Sequence, residues 1–183
     1  MSRTCSSMPG IPTEEPPRSG PRKAALLELL AQSLKDGEPI RVSVSGQCME
    51  PLVEDGDEIS VAPPGDITAR VGELWLAHTP EGELVCHRVI ARRPDGLLLA
   101  GDRTLRADLH ARESLLGRVG AVHRGPQTFP IRTTLLDRLQ ARMHSQACRH
   151  RRSSWVFLWQ WPRRLLIEIR ALPRYYQRWR LPG

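Results

Sequence analysis

Residues 39–124 carry the pattern that most limits how this chain can fold. Short apolar runs alternate with polar residues and are cut repeatedly by Pro, Gly and Asp. Val42 and Val44 alternate with Ser43 and Ser45, the period-two signature of a half-buried strand. Candidate strands lie over 39–45, 57–62, 73–78, 83–92, 96–100 and 115–124. Pro63-Pro64-Gly65, Thr79-Pro80-Glu81-Gly82 and Pro94-Asp95-Gly96 supply turns between them. Short strands joined by frequent turns predict a mainly β protein, a small coiled β-domain.

Helical periods are confined to the two ends. Residues 22–35 place Ala25, Leu26, Leu29, Leu30 and Leu34 at helical spacing, and Asp36-Gly37 ends the run. This reads as one N-terminal helix covering an edge of the domain, too little helix for a helix-turn-helix. Residues 133–150 suit a basic helix carrying Leu135, Leu136, Leu139 and Met143. Residues 154–180 hold four of the five tryptophans and read as a basic amphipathic helix kinked or restarted at Pro162. The expected organisation is a disordered segment over 1–20, the β-domain with its helix over 21–126, and a Trp/Arg-rich helical extension over 127–183.

The net charge of +7 is unevenly spread. Residues 133–183 carry +9 and the remainder −2, so basicity belongs to the tail and weighs against nucleic-acid binding by the body. Tryptophans among arginines over 154–180 fit an anionic membrane surface or a protein partner. No apolar h-region opens the chain, and no run reaches the ~18–20 apolar residues of a membrane span. The body is therefore expected in a reducing cytosol, peripheral on the inner face of the membrane where the tail meets it. Cys5, Cys48, Cys86 and Cys148 show no CxxC spacing. No cofactor or metal is expected: the nearest ligand set, Cys148 with His144 and His150, reads as helix surface.

One stretch has chemistry written into it. In Val42–Asp57, VSVSGQCMEPLVEDGD, the strand breaks at Gly46 and a thiol, Cys48, follows on the turn. A nucleophile beside N–H groups free of the ladder suits acyl transfer. The Cys48 N–H, helped by Ser45 or Gln47, is the candidate oxyanion site. Met49 belongs to the same substrate-facing stretch, although packing under the turn suits it better. Asp55-Gly56-Asp57 reads as a structural turn.

The stretch resembles the nucleophile box of the signal peptidase and LexA-type self-cleaving serine peptidases, Gly-x-Ser-Met-x-Pro followed by Gly-Asp. Gly46, Met49, Pro51, Gly56 and Asp57 match in register, with Cys48 in place of the serine. Val85-Cys86-His87-Arg88-Val89-Ile90 resembles the base strand in its histidine version, as in endoplasmic-reticulum and archaeal signal peptidases. Gly101-Asp102, with Asp108 beyond, and Leu116-Gly117-Arg118-Val119 resemble the last two boxes, with Arg103 where asparagine is usual.

The resemblance implies the signal peptidase fold over about 38–124 and a peptide or protein substrate bound extended along a strand edge. It also implies a Cys48–His87 pair, with Asp102 as first choice to orient the imidazole and Asp108 as second. Alternation places His87 with Val85 and Val89 facing inward, and Cys86 with Arg88 facing away. A thiolate–imidazolium pair would lower the thiol pKa. The expected activity is endopeptidase cleavage of a leader or signal region. The alternatives are an inactive peptide-binding module of the same fold and a LexA-type self-cleaving regulator.

Overall fold

The computed structural model describes residues 21–65 and 69–150, together with position 165. The expectations for 1–20 and for a helix over 154–180 fall outside the described residues. The order is α1 (Pro21–Lys35), β1 (Ile40–Ser43), β2 (Glu58–Ala62), β3 (Leu74–His78), β4 (Leu84–Arg93), β5 (Gly96–Ala100), β6 (Ala107–His110), a short 3-10 turn (Arg112–Ser114), β7 (Leu115–Arg124), β8 (Gln127–Pro130) and α2 (Leu135–Arg149). All six predicted strands are present. Two short ones, β6 and β8, carry too little alternation to be seen in the sequence.

The strands form one antiparallel sheet in the order β1-β2-β7-β3-β4-β5-β6, with β8 added to β7. The fold is mainly β. The long strand β7 pairs with β2 through its middle and with β3 through its beginning, so it ties the two halves together. Register shifts at Ser60/Val61, Leu76/Ala77 and Val89/Ala91 mark bulges, which bend strands and increase local twist. Gly117 of β7 lies against the end of its neighbour β2, where a Cβ would overlap the Ala62 carbonyl oxygen. This close approach demands glycine.

Successive residues of the central strands serve different cores. Leu74 and Leu76 of β3 and Cys86 of β4 join Met49, Val53, Ile59, Val61 and Val122 in the larger cluster. Trp75 and Ala77, with Val89, Leu97 and Leu99, build the second. Such strands are apolar on both sides, which explains the near-continuous LWLA and VIA runs.

Both helices depart from the predicted faces. Only the last turn of α1 is buried, through Leu34, while Leu26 and Leu29 are 53% and 64% exposed. In α2 the expected apolar stripe faces out: Leu135 is 79% exposed, and Leu136 and Leu139 are also exposed. Its buried face is Asp137, Gln140, Ala141, His144 and Ala147. Partners on the sheet reverse the usual preference. Asp137 meets Arg88 at 2.9 Å, and His144 Nε2 donates to the Thr104 carbonyl at 2.7 Å. His144 is therefore an interior residue, and not the surface histidine that its helical position suggested.

Candidate active site

The turn that carries Cys48 is held at both ends. Val44 N–H donates to the Asp57 carbonyl and Gly56 N–H to the Val44 carbonyl, closing the loop over residues 44–57. Gly46, at φ 98°, donates its N–H to Asp55 Oδ1. Asp57 is buried, caps Glu54 N–H and takes a two-pronged contact from Arg124. The Asp55-Gly56-Asp57 segment is structural, as its composition suggested. Met49 is 2% exposed within the larger core, so it anchors the turn from beneath and is not placed to touch substrate. Ser45 and Gln47 are exposed, and Cys48 is half-buried. The backbone N–H groups of Ser45, Gln47 and Cys48 make no hydrogen bond to the described backbone.

A second loop closes against this turn. Arg103 N–H donates to the Cys48 carbonyl at 2.9 Å, and the Arg103 guanidinium meets Glu50 at 2.8 Å. Gly101 lies so close that a Cβ on it would stand 2.9 Å from both the Cβ and the carbonyl oxygen of Cys48. The β4–β5 ladder ends at the pair Arg88 and Ala100, and Gly101 follows directly. Cys48 thus packs over Gly101, just past the end of β5, and against the larger core that also holds Cys86. Gly101→Ala is expected to push the turn out of this seat and cost about 1–3 kcal/mol, the usual range for overpacking. Urea denaturation checks the cost, and the rate of Cys48 alkylation checks the displacement.

His87 pairs across the sheet with Trp75 and is largely enclosed. Burial pushes its imidazole below the ordinary value, and His110 pushes the same way; Asp108 and then Asp102 oppose them. Its Nδ1 is buried with no hydrogen-bond partner. The Cys48 thiol is raised, chiefly by burial and also by Asp102, with its own backbone N–H offsetting part of the effect. The expected depressed thiol is therefore not found: both members of the pair are neutral near pH 7.

Asp102 does not hold His87. Both of its oxygens are taken by Arg88, Nε at 2.7 Å and Nη2 at 2.6 Å. The Arg88 Nη1 reaches Asp137 at 2.9 Å and the Gly72 carbonyl at 2.8 Å. Arg88 is 1% exposed. This arginine is the main site residue that a reading of motifs overlooks. Its signal was a guanidinium in the middle of an apolar strand, which can be buried only with carboxylates on it. Asp108 is exposed on β6, on the face that the register of Val89, Leu99 and Asp108 shares. Cys86 faces the larger core, against which Cys48 also packs, and its thiol is pushed up to about 12 by burial. It points inward, not away, and its thiol is inert. Cys48, Cys86 and Cys148 are free thiols.

Among the described residues no helix is long and apolar enough to cross a membrane. No protein-family model matches this chain, and no curated protein matches it.

Proposed function

We propose that this protein is a signal-peptidase-like endopeptidase that cuts the leader or signal region of a peptide, with Cys48 as nucleophile and His87 as general base. The observation that carries the reading is the close packing of Cys48 on Gly101, next to the end of the β4–β5 ladder whose β4 strand carries His87. Around it stand uncommitted N–H groups of the turn, suited to an oxyanion. The edge strand β1 leads directly into the turn, so an extended peptide added to its outer side would reach Cys48.

With both groups neutral, the chemistry is general-base catalysis and not attack by a preformed thiolate. The Cys48 sulfur attacks the scissile carbonyl carbon while its proton passes to His87. The carbonyl oxygen becomes an oxyanion held by the Cys48 and Gln47 N–H groups. The imidazolium then gives its proton to the leaving amine, leaving a thioester. Water, deprotonated by His87, releases the acid and restores the thiol. Asp108 is the carboxylate available to stabilise the imidazolium, since Asp102 serves Arg88.

The pH profile tests this. His87 must be neutral, and its pKa lies below the ordinary value of about 6.5. Activity is therefore full at neutral pH and falls only as pH drops through the depressed value. His87→Ala should lose about a hundredfold or more in kcat/KM and the acid limb with it. The measurement is mass-spectrometric cleavage of a peptide library across pH 4–9. An acid limb that survives in His87→Ala reassigns the base. The raised thiol and the unpartnered Nδ1 favour a second reading, a peptide-binding module without turnover. Peptide capture by both wild type and Cys48→Ala, with no cleavage at any pH, selects it.

A further inference from the structure

A cleft of about 590 Å³ opens between α2 and the β5–β6 hairpin. Its floor is apolar, from Leu98, Leu105 and Ala107. Three arginines stand around it: Arg93 at the end of β4, Arg106 just before β6, and Arg149 in the last turn of α2. Elsewhere Arg41, Arg88, Arg103, Arg118 and Arg124 all meet carboxylates. The three cleft arginines are exposed and make no ion pair or side-chain hydrogen bond among the described residues. Against them stands one carboxylate in the lining, Asp108. Arg93 also borders a smaller cavity with Arg92 and Arg112, so the positive field continues around the β4–β5 turn.

We propose that this cleft, whose lining includes neither Cys48 nor His87, is a binding site for an acidic, partly apolar peptide segment at the β6 edge of the sheet. Three properties select that ligand. The guanidiniums come from three different elements, so they suit several separated carboxylates better than one compact anion. The apolar floor accommodates side chains that a free phosphate lacks. The cleft also runs along β6, where the sheet path ends and among the described residues only β5 is paired, so an extended chain can add there by backbone hydrogen bonds. The proposal rests on the peptidase reading only for its purpose: the acidic segment would be the part of a substrate held while another part reaches Cys48.

The test uses the full chain and a fluorescein-labelled peptide of alternating Glu and Leu, with a Gln-for-Glu copy as control. The acidic peptide should bind in a salt-dependent way and the Gln copy at least about tenfold more weakly. Arg106→Glu with Arg149→Glu should weaken binding by about tenfold or more. Arg142→Glu, on α2 outside the cleft, should change it little. Cys148 lines the cleft, so bound peptide should slow its alkylation, read by peptide-mapped mass spectrometry.

Equal binding of the Gln copy, an unaffected Arg106/Arg149 variant, or unprotected Cys148 overturns the proposal. Protection by anionic vesicles or by inorganic phosphate, with none from the peptide, overturns it in favour of a lipid or phosphate site. Cys48→Ala separates the two readings. Peptide binding without turnover in wild type removes the peptidase alone, and turnover of peptides lacking the acidic segment with no binding here removes the cleft alone.

Discussion

Alkylation of Cys48 is expected to abolish cleavage, and Cys48→Ser to lower single-turnover rates by about a hundredfold or more while leaving fold and peptide binding unchanged. The thiol begins protonated, so the substitution is not excused by loss of a thiolate that exists beforehand. The penalty comes from proton transfer: a hydroxyl is a far weaker acid than even a raised thiol, and the buried, depressed imidazole of His87 is a weak base for it. Alkylation by iodoacetamide should itself be slow at neutral pH and speed up only above the ordinary thiol range, because burial opposes the thiolate. Cys86→Ser should remain active, since that thiol is enclosed in the core. Cleavage that survives complete, mass-verified modification of Cys48 would end the peptidase reading.

The second large effect concerns Arg88. Its guanidinium bridges two buried carboxylates, Asp102 and Asp137, whose side chains are 2% and 3% exposed. Removing it leaves two negative charges facing each other in the interior. Arg88→Met is expected to cost about 3–5 kcal/mol, the usual penalty for breaking a buried pair from one side. That is a large part of the ~5–15 kcal/mol that holds a domain together. Adding Asp102→Asn to Arg88→Met should recover some of the loss, with a coupling of about 1–3 kcal/mol in a double-mutant cycle of urea midpoints. A loss under about 1 kcal/mol for Arg88→Met would mean that the pair does not hold loop and helix together.

Local pattern foretold the strands because turn residues and period two are properties of adjacent positions. It foretold α2 as well, but not which side faces inward: the sheet offers Arg88 and the Thr104 carbonyl, and these select Asp137 and His144 over Leu135, Leu136 and Leu139. The turn that carries Cys48 was legible for a similar reason: Gly46, Asp55 and Asp57 bond within one short loop. The carboxylates were not. Whether Asp102 serves His87 or Arg88 depends on which face of β4 the loop after β5 meets. One residue of alternation separates the two outcomes, and nothing local distinguishes them. The charge state of the pair was hidden too, because enclosure of Cys48 and His87 is a property of the whole sheet.

The way Arg88 is shared has a consequence during synthesis. Its two carboxylate partners lie 14 and 49 residues further along the chain. A ribosome that has released residues 1–130 has produced the entire sheet, with the thiol and the imidazole, yet Asp137 is still inside the exit tunnel. At that stage the guanidinium has only one of its two carboxylates, and Thr104 lacks its contact from α2. The nascent chain therefore completes the Arg88 bridge only once its last described helix has emerged.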